Sequence, residues 1–307
     1  MVKEFKTFEE LVYVLESRNV ITDENTAPQI MRESYYAIVN GYKAPFLDTQ
    51  AMKLTNEDVY HNGTRFEWIY ALFSFDRDLR AITFKYLERA ESIMKSAVVY
   101  AFCCKNHEPM SYLDISSYVG SQNMLLPKGY KGNRQSLHFR NLSHLMRILN
   151  SKVSNNSNKD FIKHYVKNYG FVPLWVLQND LTFGNIAHFY QLQKRDVQNK
   201  TCKIILKATG KENMKLPYLT PTKLLHSFYV LVDFRNICAH GERLYCAKVG
   251  KSHDIGFNKM TASLVLILSE KDIGAFYKEV SSLVSSYGSN LCSITTESLL
   301  NDMGFVR

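Results

Sequence analysis

The chain has 307 residues, of which 46% are apolar and 22% are charged, and its formal net charge at pH 7 is +9. This length and apolar content allow a sizeable buried core, which excludes a largely disordered chain. The positive charge favours a polyanionic partner, either a nucleic acid or an anionic membrane surface.

The cysteines and the apolar runs indicate the compartment. No two of the six cysteines form a C-x-x-C pair, and a chain of this size does not need disulfides, so reduced thiols in a cytosol fit best. The first residues carry charges where a signal peptide would be apolar. The longest apolar runs, 96–104 and 262–268, are far shorter than the ~20 residues of a membrane-spanning helix. We therefore expect a cytoplasmic protein without a membrane partner.

Apolar residues recur at helical spacing along most of the chain. In 8–18, for example, Phe8, Leu11 and Leu15 share one face. The predicted helices, in chain order, cover 8–18, 26–40, 58–104, a segment ending near 149, 161–169, 172–178, 185–196, a helix starting at 220–221, 259–287 and 296–303. Strands are barely signalled and no repeat of 20–50 residues is evident. The predicted class is all-α.

Three segments rich in polar residues or glycine separate these helices. Residues 124–134 form a glycine-rich basic loop, 151–160 a polar surface loop or short linker, and 249–256 a glycine-rich charged loop. The helices on either side are too interleaved to divide into separate domains. We expect one all-α domain over 1–307, with 1–57 as an N-terminal helical extension and 58–307 as the helical core.

The helix that starts at 220–221 ends in an unusual run, LVDFRNICAHGERLY, at 231–245. Thr220 is the expected N-cap, with Pro221 in the first turn and Gly241 where the helix ends. An apolar face runs along this helix, and polar groups then appear where further core residues would be expected. These groups are Arg235, Asn236 and His240.

The three polar side chains are suited to RNA cleavage. Imidazole titrates near neutrality and can serve as general base or acid. Guanidinium keeps its proton and matches phosphate geometry, and an amide can orient a phosphate or the histidine without adding charge. A base can activate the ribose 2′-hydroxyl for attack on the adjacent phosphorus, while cations stabilise the anionic transition state. This chemistry requires neither a metal nor a cofactor, and we expect none.

Spacing alone leaves the role of the motif open. Arg235 and His240 are five residues apart, which is about 140° of rotation on an α-helix. Both can reach one spot through the length of arginine, through irregularity at Gly241, or through a second copy of the motif across a dimer axis. The competing interpretation is structural: Arg235 pairs with Asp233 or a carboxylate on a neighbouring helix, and His240 caps the helix. The spacing by itself favours the structural interpretation.

The wider sequence resembles a known family. RNICAHGERLY is similar to the R-polar-x-x-x-H motif of HEPN ribonucleases, in the form found in the abortive-infection (Abi, AbiD/AbiF-like) family. Similar strings recur in the same order along nearly the whole chain and make the resemblance far more specific than the motif alone. They are YYAIVNGY at 35–42, PF at 45–46, FDRDLR at 75–80, LERAESIMKS at 87–96, PLW at 173–175, LTFG at 181–184 and MGF at 303–305.

The resemblance implies a HEPN-type helical bundle with additional N-terminal and C-terminal helices, the HEPN part lying in 58–307. It also implies a metal-independent endoribonuclease with a composite site in a homodimer, acting in phage defence or as a toxin restrained by an antitoxin, which can itself be RNA. On the family motif, Arg235 and His240 match the catalytic arginine and histidine, and Asn236 matches the polar position. Glu91 matches a recurrent acid of the family. We expect it to bind Arg235 directly or to stabilise the site without contacting the substrate.

Further residues are candidates for RNA contact. Glu242 and Arg243 flank the motif, and Arg243 adds positive charge, although a local ion pair explains both equally well. The 124–134 loop combines cations with an aromatic ring that can stack on a base, although a mobile solvated loop fits as well. Its candidates are Lys128, Tyr130, Lys131 and Arg134. The alternative to a nuclease is a non-catalytic module that holds a dedicated small RNA.

Overall fold

The computed structural model describes residues 4–55, 57–154, 159–214, 218–250, 252–288 and 293–305. Within these ranges the chain forms thirteen α-helices and no β-sheet, so the prediction of an all-α fold is confirmed. The helices are α1 (Phe8–Glu16), α2 (Thr26–Glu33), α3 (Thr49–Thr55), α4 (Phe66–Cys103), α5 (Arg134–Val153), α6 (Asp160–Tyr169), α7 (Leu174–Leu177), α8 (Phe183–Gln191), α9 (Arg195–Ala208), α10 (Pro221–Ala239), α11 (Phe257–Ile267), α12 (Glu270–Tyr287) and α13 (Ser293–Met303). None of the helices in this part is long and apolar enough to cross a membrane.

Helix α4 is the centre of the fold. It has 38 residues, which is about 57 Å of helix. It packs against α9, α12, α10, α11, α8 and α7, and buried residues run along most of its length. The amphipathic segment at 58–104, predicted as one long helix or two in succession, is one helix. It begins only at Phe66, after a turn in which Gly63 has φ +79°.

The single helix predicted over 26–40 is wrong. Helix α2 ends at Glu33 because Ser34 adopts φ +71° and ψ 131°, which no α-helix accommodates. A short π-helical turn, Tyr36–Asn40, follows and packs on α4. The chain therefore turns at Ser34 and returns to the central helix.

The single helix predicted over 185–196 is also wrong, and the helix that follows it was not predicted. Helix α8 ends at Gln191, and Lys194 is extended, with ψ 153°, before α9 begins at Arg195. In α9, Val197, Thr201 and Ile205 recur every four residues and are buried. That periodicity is visible in the sequence and could have revealed this helix.

The long helix predicted over 259–287 is two helices. Helix α11 ends at Ile267 and α12 starts at Glu270. Ser269 separates them as an N-cap, because its hydroxyl accepts from the backbone N–H of Asp272 at 3.1 Å. The run Ser-Glu-Lys-Asp at 269–272 has a capping-box pattern, so this break too had a local signal.

The predicted loop over 151–160 is only partly described. Helix α5 continues to Val153 and α6 begins at Asp160, while 155–158 lie outside the described residues. Cys292 also lies outside the described residues. The five described cysteines are free thiols.

Candidate functional site

Helix α10 carries the polar motif, and its start is the predicted one. Thr220 accepts from the backbone N–H of Lys223 at 3.2 Å, and Pro221 occupies the first turn. The apolar face packs on α4, α8, α9 and α11. Its fully buried members are Leu224, Leu225, Phe228, Leu231 and Phe234. Burial of this face fixes the orientation of α10 and therefore of the polar residues in its last turns.

Gly241 ends the helix, as predicted, through a Schellman motif. Its φ is +70°, a conformation that side chains with a Cβ disfavour. The N–H of Glu242 donates to the carbonyl of Ile237 at 3.0 Å, and that of Gly241 donates to Cys238 at 3.4 Å. These are the two bonds that define the motif. They hold His240, the last residue before the glycine, at the C-terminus of α10.

Arg235 is held by a carboxylate on α4. Its Nε donates to Glu91 Oε2 at 3.1 Å, and its Nη1 donates to Asn236 Oδ1 at 3.1 Å. Lys95 lies 2.8 Å from the other oxygen of Glu91 and also donates to the carbonyl of Leu181 at 2.7 Å. The guanidinium is thus fixed in orientation while its side chain stays 25% exposed. A contact between Glu91 and Arg235 suits either a structural pair or a supported catalytic arginine.

A cleft of about 460 Å³ opens beside this pair. Both Arg235 and Glu91 line it, together with Lys95, and α4 and the Gln178–Asp180 turn supply most of the remaining wall. Guanidinium has five N–H groups, and only two of them are used in the described structure. The others are available to an anionic group in the cleft.

His240 differs from Arg235 in its exposure and in its place on the helix. It is exposed, it is the C-cap residue of α10, and it does not line the cleft. No described side chain hydrogen-bonds to its imidazole. One copy of the chain therefore does not bring Arg235 and His240 into a single cleft, and the helix-capping position is the one that the structural interpretation expected.

A buried network that the sequence analysis missed fixes the loop after the motif. The carboxylate of Asp76, fully buried on α4, accepts from the backbone N–H groups of Leu244 at 3.0 Å and Tyr245 at 2.7 Å. It also accepts from the Tyr42 hydroxyl at 2.7 Å and from Arg80 Nη1 at 2.6 Å. Asp76 and Arg80 are four residues apart and lie on the same, mostly apolar face of α4. An oppositely charged pair on such a face was the sequence signal for a buried ion pair.

Burial governs the proton affinities around this network. It raises the pKa of Asp76 and of Tyr42, and the Arg80 guanidinium opposes both shifts. Burial also raises the pKa of the neighbouring Cys238 thiol to about 12. That thiol stays protonated at neutral pH, so Cys238 is unsuited to act as a nucleophile.

The residues that flank the motif are used mainly to hold the loop. The carbonyl of Glu242 accepts from Arg80 Nη1 at 3.2 Å, while its side chain is exposed. Arg243 is exposed and donates to the carbonyl of Gly41 at 3.0 Å. Neither residue lines the cleft beside Arg235.

The basic loop lies near the other end of α10. The pKa of His226, on α10, is lowered mainly by burial and next by the positive charge of Lys128, so the two side chains are close. The Tyr130 hydroxyl donates to the carbonyl of Asn133 at 3.2 Å, and Lys131 is exposed. Arg134 begins α5 and donates through Nη1 to the carbonyls of Gln122 and Met124 at 2.5 and 3.1 Å. None of these four candidates lines the cleft beside Arg235.

Fold and site together define an all-α protein in which a long central helix supplies the carboxylate partner of an arginine near the end of a second helix. The family model of the Abi-like proteins matches residues 29–246. Because that match covers more than half of the chain, the protein belongs to the Abi-like family. No curated protein and no solved structure matches the chain. The matched region includes Glu91 and the whole 235–245 motif, and the family suggests a part in abortive infection, a defence against phage.

Proposed function

We propose that this protein is a metal-independent endoribonuclease that acts in abortive infection or as the toxin of a toxin–antitoxin pair. The supporting observation is that Arg235 is held in a fixed orientation with unused N–H donors. Its guanidinium is oriented by Glu91 and Asn236, faces a cleft, and keeps three of its five N–H groups for a ligand. Two cations, Arg235 and Lys95, and two carboxylates, Glu88 and Glu91, line the cleft. Their formal charges cancel, so the unused N–H donors of Arg235, rather than a net positive charge, are the groups that suit a phosphodiester.

The reaction that fits these groups is transesterification. His240 takes the proton from a ribose 2′-hydroxyl, and the 2′-oxygen forms a bond to the adjacent phosphorus. The bond from phosphorus to the 5′-oxygen breaks, and that oxygen takes up a proton from the imidazolium of His240 or from water. Arg235 stabilises the charge on the phosphate oxygens, and Asn236 orients the guanidinium. The products carry a 2′,3′-cyclic phosphate and a 5′-hydroxyl.

The proposed site needs two copies of the chain. His240 is exposed at the end of α10 and does not line the cleft of its own chain. A two-fold axis beside the ends of two α10 helices would place the histidine of one copy near the arginine of the other. We therefore propose a homodimer with a composite site.

The separation of His240 from the cleft also favours a second candidate. A chain that uses Arg235 and Lys95 to bind phosphates, without a histidine in reach, would hold a dedicated small RNA and leave it intact. The two candidates differ in whether His240 matters: the binding module predicts tight RNA binding that His240→Ala leaves unchanged.

Cleavage of end-labelled RNA by the full chain in EDTA tests the nuclease. We expect loss of a general base in His240→Ala to lower the rate by at least about 100-fold, and loss of a charge-stabilising group in Arg235→Ala to lower it by about 100-fold or more. The matched controls are His107→Ala and Arg140→Ala, both exposed and outside the cleft. Undiminished cleavage by the Arg235 and His240 variants would contradict the assignment.

Mixing the two inactive variants tests the composite site. A mixed dimer of Arg235→Ala and His240→Ala chains retains one arginine and one histidine, so co-refolded mixtures should recover part of the activity. Each variant alone supplies the baseline. A mixture no more active than the two baselines, despite demonstrated subunit exchange, would argue against a shared site.

A further inference from the structure

A second pocket lies at the opposite end of α8 from the Arg235 cleft. It has a volume of about 580 Å³ and is formed by the 118–126 segment, the start of α5 and the start of α9. Its floor is apolar, with Tyr118, Met124 and Leu125 almost completely buried. A volume and floor of this kind are typical of small-molecule sites.

The charge of this pocket has one sign. Three cationic side chains line it, Arg134, Lys194 and Arg195, and no aspartate or glutamate does. The nearby carboxylate of Asp196 is already paired with Lys105, which lies just after the end of α4. The formal charge of the lining is therefore +3, in a concave surface that concentrates its field.

Protein contacts orient two of these cations and leave donors for a ligand. Arg134 uses Nη1 for the carbonyls of Gln122 and Met124, which leaves its Nε and Nη2. Lys194 donates to the carbonyl of Ser116 at 2.7 Å. Arg195 is exposed, and no described residue hydrogen-bonds or pairs with it. An arrangement of fixed and free cations over an apolar floor suits an anion attached to a flat or apolar group.

Backbone groups add neutral donors. No hydrogen bond of the described residues uses the backbone N–H of Met124 or Leu125, although both residues are buried and line the pocket. Buried N–H groups almost always have a partner. A ligand that accepts hydrogen bonds in the pocket would supply one.

We propose that this pocket binds a nucleoside phosphate, with the base over the apolar floor and the phosphate among Arg134, Lys194 and Arg195. The unit can belong to an RNA strand or be a free nucleotide. The RNA version rests on the proposed function, and the free-nucleotide version does not. Nothing in the family match assigns a ligand to these residues.

The distance between the two pockets suits a single RNA strand. The carbonyl of Leu181, just before α8, accepts from Lys95 at the cleft, and Lys194 follows the other end of α8. Nine residues of α8 span about 14 Å. Along α4, the step from Lys95 to Cys103, two residues before the Lys105 partner of Asp196, is eight residues or about 12 Å. With stacked nucleotides about 3.4 Å apart, either path corresponds to roughly four nucleotides.

The test measures binding without cleavage. A fluorescein-labelled 2′-O-methyl RNA of about 12 nucleotides lacks the 2′-hydroxyl nucleophile, and its Kd for the full chain can be followed by anisotropy. AMP, measured separately by calorimetry, is the free-nucleotide arm. The variant is Arg195→Gln, and the matched control is Lys203→Gln, an exposed cation on the same helix outside the pocket.

The logarithm of the binding constant falls linearly with the logarithm of the salt concentration, and each phosphate contact to a single strand contributes about 0.7 to that slope. Loss of one contact therefore raises Kd about fivefold at 0.1 M salt. We expect Arg195→Gln to raise Kd by about that factor and Lys203→Gln by less than about twofold. If Arg195→Gln weakens binding of the RNA alone, the ligand of the pocket is an RNA strand. If it weakens binding of AMP alone, the ligand is a free nucleotide. Equal effects of the two variants, or no effect of Arg195→Gln in either arm, would overturn the proposal.

Cleavage assays on ordinary RNA separate this proposal from the proposed function. If wild type cleaves RNA and Arg195→Gln binds both probes as wild type does, the pocket assignment fails and the nuclease stands. If no RNA is cleaved but Arg195→Gln still weakens binding, the nuclease fails and the pocket stands.

Discussion

Replacing Asp76 by asparagine should destabilise the fold strongly, because both carboxylate oxygens are used as acceptors. Oδ2 accepts from Tyr42, Arg80 and Leu244, and Oδ1 accepts from Tyr245 and, at 3.2 Å, also from Leu244. If Oδ1 becomes the amide nitrogen, the backbone N–H of Tyr245 faces another donor. If Oδ2 does, the Arg80 guanidinium faces one. The Arg80 side chain, only 10% exposed, also loses its counter-charge.

The magnitude follows from the burial of the pair. Removing one partner of a buried ion pair costs about 3–5 kcal/mol. For a chain of this size, that corresponds to a fall in Tm of roughly 5–15 °C. Thermal unfolding followed by circular dichroism measures the change. Glu88→Gln, an exposed carboxylate on the same helix, is the control and should stay within about 0.5 kcal/mol of wild type.

A double-mutant cycle with Arg80→Met sharpens this test. If the two residues form one network, the double variant should be less destabilised than the sum of the single variants by at least about 1 kcal/mol. An Asp76→Asn protein within about 1 kcal/mol of wild type would refute the reasoning, since a carboxylate that anchors buried donors cannot be lost at so small a cost.

Three other changes test individual contacts. Gly241→Ala should lower the free energy of unfolding by about 1–2 kcal/mol, because alanine is strained at φ +70°. The control is Gly274→Ala, inside α12 with open space around it, which should stabilise the protein by about 0.5–1 kcal/mol in the same melting experiment. Glu91→Gln frees Arg235 from its charged partner and should lower the rate of RNA cleavage by roughly 10–100-fold; a loss no greater than that of Glu88→Gln, at the same cleft, would show that Glu91 does not position the arginine. Ser269→Ala removes the N-cap of α12 and should cost about 1 kcal/mol; an unchanged melting temperature would argue against the cap.

Local signals predicted much of the fold. Helical periodicity identified the class, and Thr220 and Gly241 were identified as the two ends of α10 from their residue types alone. The breaks at Ser34 and Ser269 were missed because the apolar pattern continues across them. A serine can lie within a helix, cap one or adopt a turn, so the backbone at these positions depends on tertiary packing.

The contacts of the site were harder to predict because they join distant parts of the chain. Glu91 and Arg235 are 144 residues apart in sequence, and Asp76 and Leu244 are 168 apart. Periodicity within α4 shows that Asp76 is on a buried face, but it does not identify the backbone N–H groups that it accepts from. The family strings pointed to Glu91 as a partner of Arg235, and the described contact agrees, whereas its part in catalysis stays a prediction.

The central claim is that the ribose 2′-hydroxyl is the nucleophile, and one substrate tests it most directly. Wild-type protein in EDTA should cut a labelled RNA and leave a 2′,3′-cyclic phosphate, and a single 2′-deoxy nucleotide on the 5′ side of the cut bond should abolish cleavage there and nowhere else. Cleavage of the deoxy-substituted bond at the normal rate, or products with a 3′-hydroxyl, would contradict the account.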